Sequence, residues 1–272
     1  MCRELKVSRS GYYNYCAHKI SKRSKENTKL REEIKSIYEE KKGRYGSPRI
    51  CAELKARGTT CGKHRVARLM QEEGLRGKAS RRKKWNPHIQ EEKKKIPTTD
   101  YLKRNFKIAS PNKAWVSDIT YIATKEGWLY LCIVLDLFSR KIIRYKLSPE
   151  MESEKIVQVF EEAIALRKPE AGLIFHTDRG MQYVSNRFQS CLERYGALSS
   201  MSRKGNCFDN AVAESFFHTL KTELIERGGY STREEARRKI FEYLFVFYNN
   251  KRRHSYLGYK TPTEFEQQFG DT

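Results

Sequence analysis

Three acids stand where carboxylates are chemically costly. Asp118 interrupts the apolar run AWVSDITYI, Asp178 follows the short apolar run from Leu173 to Phe175, and Glu214 sits early in a stretch with helical spacing. An ionised carboxylate among apolar neighbours needs a cation or strong hydrogen bonds. Three gathered at one spot repel by roughly 4 kcal/mol per pair at ~4 Å and an effective dielectric of ~20. A divalent cation turns that repulsion into binding, and an all-oxygen donor set with open positions suits Mg²⁺ or Mn²⁺ better than zinc. Two such ions about 3.5–4 Å apart hold the attacking and leaving oxygens of an in-line phosphoryl transfer. Singly, each acid has an ordinary reading: Asp178 as a turn acid, Glu214 as a carboxylate favoured near a helix N-terminus. Asp136 reads as a turn-former ahead of Phe138 and Ser139, with a ligand role left open. His176 and His218 lie near the acids in sequence, where a lone His is more often a hydrogen-bonding neighbour than a ligand.

The elements that would position these acids follow from periodicity. Trp115 to Ile122, Trp128 to Leu135 and Lys141 to Leu147 are β-rich runs with short breaks, the pattern of an antiparallel meander. Met151 to Arg167 carries Ile156, Val159, Phe160, Ala163 and Ile164 on one helical stripe. Leu173 to Phe175 is too short for a helix and reads as a buried strand that delivers Asp178 at its end. A helix around Asn186 to Tyr195, a strand near Ala197 to Met201 and the Glu214 helix follow. Asp209 and Asn210 are placed to cap that last helix, and Glu214, His218 and Lys221 share one of its faces. The order βββαβαβα predicts an α/β, ribonuclease-H-like fold: a mixed five-stranded sheet with flanking helices over residues 111–272. Its C-terminal extension is a helix from Arg233 to Asn250, with Ile240, Tyr243, Leu244 and Phe247 inward.

The first part of the chain has a different character. Residues 1–76 read as helical, with an amphipathic helix over Ser21 to Lys42. Over about 45–76, Pro48 starts a helix with Ile50 and Leu54 inward, and Gly58 stops it. A second helix then carries Val66, Leu69 and Met70 inward up to Gly74. This spacing fits a helix-turn-helix that shows Lys63, His64, Arg65 and Arg68 to a DNA groove. It fits an ordinary helical hairpin equally well. Residues 77–110, rich in charge and without periodicity, read as a basic extended linker.

Composition narrows the partners. Fifty-five Lys and Arg against 33 acids give a net charge of +22, which favours a polyanion, nucleic acid before membrane. Seven scattered cysteines, never in CxxC, argue for reduced thiols. Cys51, Cys61 and His64 lack a credible fourth ligand for zinc. The longest apolar run, Leu129 to Leu135, is far too short to span a membrane. A cytoplasmic protein is expected.

The stretches TDRGMQY, GNCFDNAVAESFFHTLK and YNNKRRH resemble the integrase-core signature of bacterial insertion-sequence DDE transposases. The resemblance is strongest to the second-reading-frame (OrfB) product of the insertion sequence three group, whose core is shared with retroviral integrases. It runs from about Ser8 to Phe265 and includes SRSGYY and the YGSPRI helix-turn-helix. Thirty-five residues separate Asp178 from Glu214, and Lys221 follows Glu214 by seven, both as in the family. The resemblance implies a DNA transposase subunit with Asp118, Asp178 and Glu214 as catalytic metal ligands, using Mg²⁺ or Mn²⁺, in two ions. It would cleave insertion-sequence ends and transfer the strands into target DNA. It further implies Lys221 beside the terminal phosphates, Asn206 with Gly205 in a mobile loop before the catalytic helix, and Asn249, Arg252 and His254 at DNA or in core packing. From the residues alone, Arg252, Arg253 and His254 are a basic cluster after an apolar helix. Implied partners are double-stranded DNA, at least a second copy of the chain on that DNA, and the upstream-frame (OrfA) protein, which in the family supplies another helix-turn-helix and a leucine zipper. The implied location is the bacterial nucleoid. A nuclease of the same superfamily and a non-enzymatic DNA-binding repressor are the rival readings.

Overall fold

A computed structural model of the chain describes residues 2, 4–17, 21–78, 99–202, 210–225 and 229–270, and divides into two units, Met1–Ala79 and Ser80–Thr272. In the first unit, α1 (Arg9–Cys16) buries none of its residues. α2 (Lys22–Glu40) turns Leu30, Ile34 and Ile37 inward. They meet Ile50 and Leu54 of α3 (Ser47–Ala56) and Val66, Leu69 and Met70 of α4 (Lys63–Glu72). Gly58 ends α3 at φ +87°, a left-handed conformation that only glycine adopts without strain, and the chain reverses within a few residues into α4. Glu73 holds the end of α4 to α2, at 2.6 Å from Lys35 and 3.3 Å from Arg31. The arrangement is helix, turn, helix, with α2 as its support.

In the second unit, the β-rich, largely buried run AWVSDITYIAT makes the central strand. β1 (Ala114–Thr124) pairs antiparallel with β2 (Gly127–Asp136) along its whole length, and β2 pairs antiparallel with β3 (Ile142–Ser148). β4 (Ile174–Thr177) runs parallel to β1, and β5 (Leu198–Met201) parallel to β4. The sheet order is β3-β2-β1-β4-β5, the mixed five-stranded arrangement expected from the element order.

α5 (Ser153–Arg167) and α6 (Asn186–Arg194) cover one face. Trp115, Phe160, Phe175, Phe188 and Leu192 form its core, with the rings of Phe160 and Phe175 edge to face at 4.9 Å. α7 (Ala211–Glu223) packs against β1 and buries Ala213, Phe216, Phe217 and Leu220. α8 (Arg233–Phe241) runs on into a π-helical stretch, Glu242–Tyr248, and Ile240, Tyr243, Leu244 and Phe247 are all buried as the periodicity predicts. A 3₁₀ turn (Ser255–Leu257) and α9 (Pro262–Gly270) complete the chain.

Residues 79–98 of the expected linker lie outside the described residues. The remainder is docked rather than extended: Leu102 is buried, Tyr101 donates its amide to Ser200 Oγ at 3.0 Å, and Met201 donates its amide to the Thr99 carbonyl. A segment read as linker from its charge thus lines the outer edge of β5. Its few apolar side chains, Leu102 above all, are what anchor it.

Candidate active site and nucleic-acid-binding residues

The parallel register places two of the three acids. Val116 lies opposite His176. Two residues beyond that pair stand Asp118 on β1 and Asp178 just after the end of β4. Asp118 is half-buried, and its Oδ1 accepts the Ile119 amide at 2.7 Å. Asp178 Oδ1 accepts the Gly180 amide at 2.8 Å. Among the described residues, no protein donor reaches the second oxygen of either carboxylate. Burial, then the charge of Asp178, pushes the Asp118 carboxyl up to about 7; Glu214 adds to the rise, while the Ile119 amide and the Lys221 ammonium oppose it. Glu214, in the first turn of α7, is exposed, yet the surrounding protein still desolvates it enough to raise its pKa. The three acids and Lys221 therefore share one electrostatic neighbourhood.

In type and charge this donor set fits a hard divalent cation: carboxylate oxygens, no sulfur or imidazole, and one uncommitted oxygen on each aspartate. The side chains are not drawn into a cage. Among the described residues, no three His, Cys, Asp or Glu side chains come together closely enough to hold a metal ion.

Three supporting residues had no role assigned from the sequence, although two of them, Gly180 and Tyr183, stand in TDRGMQY. Under Asp118, the buried hydroxyls of Ser117 and Tyr183 lie 2.8 Å apart. Gly180 approaches Asp178 so closely that a Cβ there would lie 2.9 Å from its Oδ1. The Asp-Arg-Gly turn was the available signal for Gly180. Nothing local announces Tyr183, which works across 66 residues.

His176 is fully buried, with Nδ1 2.8 Å from Ser200 Oγ on β5 and Nε2 3.3 Å from the Oγ of Ser202, the residue after that strand, so both ring nitrogens are engaged within the fold. Asp136 is a buried turn acid: Oδ1 accepts the amides of Phe138 and Ser139, and Oδ2 that of Asn112. His218 is exposed on α7. Asn210 occupies the α7 N-cap position but makes no side-chain capping bond, contrary to the expectation from its type. Gly205, Asn206 and Asp209 lie outside the described residues.

The integrase core domain family matches residues 109–207 and again 214–269, and an HTH-like domain family matches residues 25–84. The transposase for insertion sequence element IS904 from Lactococcus lactis is 45% identical over 247 residues, 91% of this chain and 97% of that protein. The chain belongs to the insertion-sequence transposases. The transposase InsF for insertion sequence IS3A of Escherichia coli K12 is 40% identical over 271 residues, spanning 98% of this chain and 93% of InsF. The HTLV-2 integrase catalytic core domain, solved in complex with magnesium, matches 58% of this chain at 20% identity and a TM-score of 0.40.

In the transposase, the residues expected at DNA divide into two groups. Lys63, His64 and Arg68 are exposed on α4, with Arg68 3.6 Å from Glu72, and Lys221 is exposed on α7. Arg65 is turned back to α2, donating to Asn27 Oδ1 at 2.9 Å and Glu26 at 3.3 Å. Arg252 and His254 are not at the surface at all. Both are buried, and the Arg252 guanidinium pairs with the buried carboxylate of Glu223. Burial works against that guanidinium's charge, and Glu223 outweighs it, so the pKa rises. Asn249 is buried too: its side-chain amide exchanges two hydrogen bonds, 3.0 and 2.9 Å, with the backbone of Ile142 at the start of the edge strand β3. Of the two roles left open for Asn249, Arg252 and His254, the burial of all three favours core packing. Among the described residues, no helix is long and apolar enough to cross a membrane.

Proposed function

We propose that this transposase cuts DNA at the ends of its element and joins the freed strands to target DNA, with Asp118, Asp178 and Glu214 as the metal ligands of the reaction. The observation that carries this reading is the shared field of the three acids, in which Asp178 and Glu214 raise the pKa of Asp118.

Mg²⁺ or Mn²⁺, as two ions, would supply charge neutralisation and in-line orientation for phosphoryl transfer. Asp118 on its strand gives a rigid position, Asp178 a turn fixed by Gly180, and Glu214 a position in the first turn of α7. The oxygen of a water molecule bonds to phosphorus as the P–O3′ bond breaks, and the departing O3′ takes up a proton in place of the one the water gives up, leaving a 3′-hydroxyl and a 5′-phosphate. In the second step that hydroxyl oxygen loses its proton and bonds to a target phosphorus as the target's own P–O3′ bond breaks, and the released target O3′ takes up a proton. Lys221, on the face of Glu214, offers its ammonium to the phosphates beside the cut. Lys63, His64 and Arg68 supply backbone contacts from α4, which suits an excess of positive charge this large. Two element ends have to be held together, so at least two copies act on DNA, with the upstream-frame protein as a further partner and the nucleoid as the place of action.

Replacing Asp178 by Asn tests this. The variant should lose cleavage and joining of a labelled element end while retaining DNA binding within about twofold. A variant that still joins a pre-cleaved end overturns the ligand assignment. A wild type that cuts but never joins is a nuclease instead.

A further inference from the structure

Beside the acids lies a feature that phosphoryl transfer does not use. Tyr121 and Trp128 are 59% and 52% exposed, large aromatic side chains left open at the turn joining β1 and β2. Their rings meet edge to face at 5.2 Å. The register Ala123↔Trp128 and Tyr121↔Tyr130 makes them diagonal neighbours on one side of the hairpin. The Lys221 ammonium sits 5.0 Å from the Tyr121 ring centroid. The same ammonium acts electrostatically on Asp118, three residues before Tyr121. One cation therefore links the carboxylates to the aromatic pair.

From this juxtaposition we infer that Tyr121 and Trp128 form a stacking subsite for an unpaired nucleobase of the DNA, next to the phosphate that reacts. The inference rests on the function proposed above, since it presupposes DNA at the acids. Every base has a flat π face, so exposed rings beside a phosphate-seeking cation are the features that capture a base displaced from its helix. Duplex DNA keeps its bases inside the stack and offers such rings little. The subsite would select ends that are frayed or carry an overhang, with no preference for a particular base. A cross-strand aromatic pair also stabilises a hairpin, but that role needs no exposed faces and no cation over one of them.

The test uses the full chain and two labelled probes of equal length. One is a fully paired duplex, and the other carries a two-nucleotide unpaired end. Binding of each is followed by fluorescence anisotropy. Wild type should prefer the unpaired end. Tyr121→Ala and Trp128→Ala should each weaken binding of that probe roughly tenfold while leaving the paired probe within about twofold. Tyr121→Phe and Trp128→Phe, which keep the ring, should retain the preference. Asp178→Asn should retain it as well, so the subsite and the catalytic assignment fail or stand separately. The inference is overturned if wild type shows no preference, if the alanine variants keep it, or if they lose both probes equally.

Discussion

Glu223 and Arg252, 29 residues apart, meet in the interior, with Arg252 Nη2 2.7 Å and Nε 2.9 Å from the two carboxylate oxygens. Tyr243 donates its hydroxyl to the same carboxylate at 2.8 Å. Glu223 is the last residue of α7, the helix that starts near Glu214. The pair therefore ties the far end of α7 to the C-terminal segment. Losing one partner strands a buried charge. Arg252→Met should cost about 3–5 kcal/mol of unfolding free energy, read by urea denaturation. The salt dependence of DNA binding should not change, because no phosphate contact is removed. A shallower salt slope would return Arg252 to the DNA interface.

Without divalent cations, Asp118 makes the protein sensitive to pH. Burial, Asp178 and Glu214 lift its carboxyl from 3.8 to about 7. The folded state holds a proton that the unfolded chain has released, so stability falls as pH rises between those two values. Asp118→Asn should therefore raise Tm in EDTA by a few degrees above pH 7, and the gain should vanish below about pH 4. Adding Mg²⁺ at pH 8 should stabilise wild type and leave the variant almost unmoved. Equal responses of the two would place the cation elsewhere.

Gly180 sets the position of Asp178 by what it lacks. A Cβ would lie 2.9 Å from Asp178 Oδ1, so Gly180→Ala forces the carboxylate or the turn to shift. Strand-transfer rate should drop roughly tenfold to a hundredfold, as for a misplacement of about 1 Å. Thermal stability should change little, since the residue is only half-buried. Unaltered kinetics would mean that the carboxylate tolerates a different seat.

On α4, exposure separates side chains of the same charge. Lys63→Ala and Arg68→Ala should each reduce the salt slope of DNA binding by about one. Arg65→Ala, whose guanidinium is already engaged by Asn27 and Glu26, should leave the slope alone and loosen α4 from α2, seen as a lower Tm. The opposite ranking would show that Arg65 swings out to DNA.

Much of this arrangement was legible because its causes are local. The apolar, β-rich run AWVSDITYI marks a strand, and the stripe from Ile156 to Ile164 marks a helix. An acid in an apolar strand stands out by its cost alone. What stayed hidden depends on distant partners. Arg252 and His254 look like a surface cluster because their neighbours in sequence are basic, while Glu223, which draws Arg252 inside, lies on another helix. Leu102 could not declare its site within so charged a stretch. Tyr183 gave no hint of the Ser117 hydroxyl, because that meeting needs β1 and the loop after β4 to be already in place.

The π-helical stretch Glu242–Tyr248 makes the chain's residue count part of its architecture. Each residue of a regular α-helix advances about 100°, so an extra residue would swing everything downstream around the axis unless a wider π turn took it up. With the π turn in place, Asn249 stays at the Ile142 backbone and Arg252 at Glu223. Removing one residue at a solvent-facing position of this stretch, such as Glu242 or Val246, should therefore be better tolerated than inserting one there, which Tm would show.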